Sequence, residues 1–159
     1  MMTVVFGSNV LADELLDGFA LSSAQSTQGD IRNYSPGLSG LFSLRPNRYY
    51  GTEFQLGLFG QSGPFDYNIW VDGAATGFLP VGDGGFNLYA KAGLALIYSF
   101  ESNGVVSILA PTYGAGIEYK GKKGAVRLGV QHYNVGNVSL SPSLSANLIG
   151  ISLLRRIDY

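Results

Sequence analysis

A chain of 159 residues has room for one domain and one core. Charged residues make up 13% and hydrophobic ones 46%, with 23 glycines and a net charge of −1; the charged share is about half that of a soluble domain, and the basic footprint of a nucleic-acid binder is missing. Cysteine is absent, which excludes disulfides, thiolate metal sites and cysteine nucleophiles, and no apolar run reaches the roughly 18 residues of a membrane-spanning helix.

Met1–Ala12 passes from apolar to small and polar, and Val10-Leu11-Ala12 fits the small-residue rule of a signal cleavage site, although the positively charged start is missing. The expectation is a signal-peptide remnant over residues 1–12 and a single domain over 13–159, with a short strand over Thr3–Phe6 as the alternative.

From there, runs with a period of two recur between turn signals, and a period of two is the mark of a strand. The first is Gly18–Ser26, followed by a polar loop over Thr27–Pro36. The second, Gly37–Leu44, sets Leu38, Phe42 and Leu44 on one face and ends in the turn Arg45-Pro46-Asn47-Arg48. The third, Tyr50–Gly60, sets Phe54, Leu56 and Leu58 against Glu53, Gln55 and Gly57. Gln61–Pro64 turns the chain into the fourth, Phe65–Phe78, where Tyr67, Ile69 and Val71 oppose Asn68, Trp70 and Asp72.

A Pro/Gly turn over Leu79–Gly84 leads to the longest run, Gly85–Phe100. One of its faces is wholly apolar from Phe86 to Phe100, and the other is small or polar with Lys91 as its one charge. Glu101–Pro111 is expected to be a loop, because Pro111 cannot donate to a ladder. The sixth run, Thr112–Lys120, opposes Tyr113, Ala115 and Ile117 to Gly114, Gly116 and Glu118; the tight loop Gly121–Gly124 follows. The seventh, Ala125–Tyr133, opposes Val126, Leu128 and Val130 to Arg127, Gly129 and Gln131. After a loop over Asn134–Ser143, the eighth, Leu144–Tyr159, opposes Ile149, Ile151 and Leu153 to Gly150, Ser152 and Leu154, with Arg155 breaking the apolar face. About eight hairpin-connected strands and no helix predict an all-β, antiparallel up-and-down barrel.

Two kinds of barrel share this alternation, and the polar face separates them. A soluble lipocalin-like barrel wants roughly a quarter or more of its exterior charged. Here the polar faces are mainly Gly, Ser, Thr, Asn and Gln, which suits the narrow interior of an eight-stranded barrel. The Phe, Leu, Ile, Val and Tyr face suits lipid, and closing the sheet satisfies every backbone group, as a bilayer demands. Aromatics near the expected strand ends, among them Tyr49, Tyr50, Phe65, Tyr67, Phe86, Tyr98, Phe100, Tyr113, Tyr119 and Tyr159, are placed for interfacial girdles.

The run Leu88-Tyr89-Ala90-Lys91-Ala92-Gly93-Leu94, and Gly124-Ala125-Val126-Arg127-Leu128 through Tyr133-Asn134-Val135-Gly136-Asn137, resemble the strands of the small OmpA-like eight-stranded outer-membrane barrels. The resemblance covers residues 13–159 loosely, in pattern more than in fingerprint. It implies residence in the bacterial outer membrane, contact with its lipid and lipopolysaccharide, a monomer without cofactors, and a C-terminal aromatic, Tyr159, read by the outer-membrane assembly machinery.

Parity alone sets Glu53, Lys91, Glu118 and Arg127 on the inward faces. Buried ions are costly unless paired, so these four are expected to meet inside and close the barrel; OmpA-like barrels hold a similar acidic–basic cluster. The cluster is either a structural plug or a gate. Some outer-membrane barrels modify lipid A with an outward His, a Ser two residues on and a nearby Glu. The sole histidine, His132, has the right parity, but Asn134 stands where the serine would and no Glu follows in Val135–Leu154, so no catalytic or metal site is expected. The function read from sequence is a structural or surface-binding outer-membrane barrel, with a narrow channel as the alternative and a lipid A-modifying enzyme or soluble barrel behind it.

Overall fold

The computed structural model describes residues 14–28, 31–60, 67–101, 104–134 and 145–157. They form eight strands: β1 (Glu14–Gln28), β2 (Ile31–Arg45), β3 (Tyr50–Gly60), β4 (Tyr67–Val81), β5 (Phe86–Glu101), β6 (Gly104–Lys120), β7 (Gly124–Asn134) and β8 (Ser145–Arg156). Each pairs antiparallel with its chain neighbours, and β8 returns to β1 through the ladder Leu16↔Arg156 to Thr27↔Ser145, so the sheet closes. A closed ring leaves no open edge. The expected signal remnant, Phe65 and Tyr159 lie outside the described residues.

Alternation drives the fold. In β3, Phe54, Leu56 and Leu58 are exposed while Glu53, Gln55, Gly57 and Phe59 are buried, without a break. The same rhythm puts Leu88 and Leu94 outside on β5, Ile117 on β6, Leu128 on β7 and Ile151 on β8, all about half exposed. An apolar exterior of this extent exceeds what water-soluble domains present. Tyr67 stacks on Phe100 with ring centroids 4.6 Å apart at the end of the barrel that carries the connections β1–β2, β3–β4, β5–β6 and β7–β8. Phe86 meets Tyr119 at 4.9 Å at the opposite end, where the described chain starts and stops. These two pairs sit where girdles belong.

The loops differ from expectation in three places. Thr27–Pro36 is no loop: β1 runs to Gln28, β2 begins at Ile31, and Thr27 faces Arg32 in the ladder. The hairpin there consists largely of polar residues, so no apolar face announces it. Glu101–Pro111 is likewise mostly strand, since β6 begins at Gly104. Leu79–Val81 belongs to β4, and the chain turns over Gly82–Gly85, where Gly82 and Gly85 take positive φ of 66° and 80°.

Proline explains part of the misreading. Pro36, Pro80 and Pro111 all lie within strands, paired with Ser23, Asn87 and Leu94 respectively. On the other side of each, the ladder has already stopped: β2–β3 begins at Gly37, β3–β4 ends at Gly77, and β6–β7 begins at Thr112. Each proline therefore sits on a one-sided extension, where its missing N–H breaks no bond to a second neighbour.

Inside, two apolar clusters bracket the lumen. Leu16, Leu41, Ala125 and Leu154 form the one toward the termini. Ala24, Phe59, Trp70, Ala95, Ile97, Ala110, Tyr133 and Leu148 form the larger one toward the opposite end. The mainly small and polar lumen expected from sequence thus also holds two apolar clusters.

Candidate functional site

The inward charges come together in the half of the lumen nearer the termini. Glu53 on β3 is fully buried and lies at the centre. Its Oε1 accepts from Lys91 Nζ of β5 at 2.8 Å, and its Oε2 from Arg127 Nη1 of β7. Arg127 also donates through Nε to Glu118 Oε2 of β6 at 2.8 Å. All four residues named from parity are therefore in one connected cluster.

Three further members join them: Arg45 and Glu14 lie outside the predicted strands, and Lys120 shares the inward parity of Glu118 at the end of the sixth. Arg45, expected in a turn, is the last residue of β2 and points inward, 3% exposed. It forms a forked pair with Glu118, Nη1 to Oε1 at 3.0 Å and Nη2 to Oε2, the planar arrangement guanidinium and carboxylate favour. Pro46 and Asn47 after it gave the turn signal; the strand simply runs one residue into it. Glu14 Oε2 forms ion pairs with Lys120 Nζ at 2.6 Å and Arg45 Nη1 at 3.7 Å. Its place beside the expected leader hid it.

The cluster reaches across the lumen as well as around it: Glu53–Arg127 joins β3 to β7, and Arg45–Glu118 joins β2 to β6. Neutral groups complete it. Asn87 Nδ2 donates to Glu118 Oε1 at 3.0 Å, and Gln55, which accepts from Lys91 Nζ at 3.4 Å, donates through Nε2 to Ser39 Oγ at 2.7 Å. Rings take up guanidinium faces, with Arg45 Cζ 4.0 Å from the Phe78 centroid and Arg127 Cζ 5.2 Å from that of Tyr89.

Above this layer the chemistry changes. Asp72 of β4 accepts from Gln131 Nε2 at 2.8 Å and from the Tyr133 hydroxyl at 2.9 Å through one oxygen, Oδ2. Gln131 also donates to Thr112 Oγ1 at 3.0 Å. Beyond Tyr133, Trp70 lies in van der Waals range of Phe59, with centroids 5.3 Å apart, and meets the Tyr133 ring edge-on at 6.2 Å. Gly57 makes this possible, because a Cβ there would come 2.4 Å from the indole. Gly129 does the same below, where a Cβ would be 2.0 Å from Tyr89 Oη.

Between the layers lies a void of about 40 Å³, bordered by Lys91, Gln131 and Tyr89. It has room for water and nothing larger. At this level the lumen thus presents paired ions and packed rings.

His132 is on the outer wall. Its Nδ1 lies 2.7 Å from Asn147 Oδ1 and its ring 4.9 Å from that of Tyr113. An amide and a phenol ring activate no nucleophile. Among the described residues, no group of three or more His, Cys, Asp or Glu is placed to hold a metal.

A closed eight-stranded antiparallel meander with an apolar exterior is the architecture of the small transmembrane barrels. Solved structures of this kind are similar to it. Neisserial surface protein A superposes with a TM-score of 0.75 at 8% identity, over 90% of this chain and 97% of that one. Ail, the attachment invasion locus protein of Yersinia pestis, solved with the heparin analogue sucrose octasulfate, gives 0.61 at 11%, over 91% and 99%. The outer membrane protein OprG of Pseudomonas aeruginosa gives 0.57 at 12%, over 88% and 93%. At such identities the likeness shows the fold, which is that of the small outer-membrane barrels. No protein-family model matches the chain, and no curated protein matches it by sequence.

Proposed function

We propose that this chain is a monomeric outer-membrane barrel whose closed wall is structural and whose loop end is the surface offered to the outside. One observation carries the closed part of this reading: Glu53–Arg127 and Arg45–Glu118 span the lumen, and between that charge-linked layer and the aromatic one lies a void of only about 40 Å³. The apolar exterior supports the membrane part, since lipid would cover Leu56, Leu88 and Ile151 where water otherwise must. Glu53, Lys91, Glu118 and Arg127 act as a plug in this reading, joined by Arg45, Glu14 and Lys120. Outer-leaflet lipopolysaccharide would meet the loop end, and Tyr159 would serve the assembly machinery. A surface-binding role suits the connections at that end, 61–66 and 135–144 being the longest stretches between consecutive strands.

Two measurements test it. Refolded in detergent, the protein should migrate differently on gels before and after boiling, as a barrel stable in lipid does and a soluble one does not. In planar bilayers it should give no steady conductance, and Lys91→Ala should stay equally silent because the aromatic layer remains. Regular open-channel steps from the unaltered protein would overturn the closed reading in favour of a narrow channel. Steps that appear only with Lys91→Ala would turn the plug into a gate.

A further inference from the structure

The outer wall is not evenly clad. Between β8 and β4 it holds a hollow of about 840 Å³, of a size with sites that hold small ligands. Its floor is Gly40, where an added Cβ would meet nothing within 4 Å. In the same cross-strand row Phe19 of β1 and Leu56 of β3 stand on either side of Gly40, and in the next row Phe42 and Phe54 stand paired. The result is a trench with apolar sides, open to the lipid.

An ion pair closes the trench toward the termini. Asp17 pairs in the ladder with both Phe42 and Arg155, one row from Gly40. Arg155 Nη2 and Nε donate to Asp17 at 2.8 and 3.2 Å, and both side chains stay open, 77% and 38% exposed. Charge on the lipid face is expensive at mid-bilayer and tolerated near the interfaces. The pair therefore marks the headgroup level of the leaflet on the terminus side. Two of the five guanidinium N–H groups face Asp17, which leaves donors for a phosphate, and the carboxylate keeps lone pairs for an ammonium.

We propose that the trench holds one zwitterionic ethanolamine glycerophospholipid, with its phosphate on Arg155, its ammonium on Asp17 and an acyl chain lying over Gly40 between Phe19 and Leu56. Charge complementarity selects this occupant. A glycerol headgroup brings no cation for Asp17, and a choline headgroup brings one that has no N–H to donate. The proposal rests on the membrane reading above.

Native mass spectrometry of the detergent-refolded full chain, titrated with phosphatidylethanolamine, phosphatidylcholine and phosphatidylglycerol of matched acyl chains, tests it. One equivalent of the ethanolamine lipid should be retained, roughly tenfold tighter than either of the others, as expected for one charge-assisted contact. Gly40→Leu fills the hollow at a site with nothing to collide with, and should abolish retention while the heat-dependent gel shift persists. Arg155→Gln should leave some lipid bound but erase the preference. Equal retention of the three lipids by the unaltered protein, or unchanged retention by Gly40→Leu, would overturn the proposal. Loss of the gel shift in the unaltered protein would instead sink the barrel reading itself.

Discussion

Two halves of one lumen are filled by opposite means. Toward the termini, six strands are tied by ions: β1 and β6 through Glu14–Lys120, β2 and β6 through Arg45–Glu118, β3 and β7 through Glu53–Arg127, β3 and β5 through Lys91. Toward the loops, Trp70, Phe59, Tyr133 and Leu148 fill the space by shape. The ions contribute information as much as energy. A slip of one residue between strands exchanges inside for outside, which would put Glu53 or Arg127 against lipid, whereas a slipped Phe59 would be content there. The charged half pins register, and the apolar half excludes water.

The largest effect should come from breaking the charged half. Glu53→Ala leaves Lys91 and Arg127 without their shared carboxylate in a buried site, which should cost about 3–5 kcal/mol. The midpoint of urea unfolding in liposomes reads it. Glu53→Gln keeps acceptor and volume and should lose distinctly less; equal losses would mean that packing rather than charge matters at that position.

Trp70→Ala attacks the other half. Removing a fully buried indole costs about 3–5 kcal/mol where the surroundings hold their shape, and the value should fall at the low end here. Gly57 beneath the ring has no side chain to hold a cavity open, and Phe59 can lean in. Bilayer conductance sharpens the comparison. Trp70→Ala and Lys91→Ala should each be silent, and only their combination should pass ions, because each removes one of two barriers in series.

Gly57→Val should destabilise by about 1–3 kcal/mol, since its Cβ would sit 2.4 Å from the Trp70 ring. The same change at Gly40 should be neutral or gain up to about 1 kcal/mol, because a β-branched side chain there enters open space on a strand. Parallel unfolding curves of the two variants check the contrast. Similar losses at both positions would argue that glycine serves backbone shape on either wall.

Much of this could be read from the sequence, for a definite reason. Where one face of a strand meets lipid and the other the lumen, parity is strict, and the inward placement of Glu53, Lys91, Glu118 and Arg127 follows from their neighbours Phe54, Ala90, Ile117 and Val126. The contrast between faces fades in two settings. About Gln28 and Ile31 the sequence is polar at nearly every position, so the hairpin of β1 and β2 has no alternation to read. In the upper lumen both faces are apolar, so residue type does not separate Trp70 and Ile97 inside from Ile69 and Tyr98 outside, and only the parity carried from Asp72 and Lys91 does. Arg45 fell to a third cause, a turn signature that begins on the last strand residue.

The smallest effect is expected at the boundary between the halves. Asp72 is 1% exposed, yet among the described residues no cation is in ion-pair contact with it; Gln131 and Tyr133 hold it through Oδ2 alone. An asparagine can keep the carbonyl oxygen that accepts both bonds. The charge assistance lost is offset by the desolvation relieved, so Asp72→Asn should shift stability by no more than about 1 kcal/mol in either direction. Urea titration of the folded barrel reads this directly. A loss approaching that of Glu53→Ala would show that Asp72 belongs to the ionic network at a distance, through Lys91 across the void. The two halves would then be one electrostatic unit, with the aromatic layer its lid.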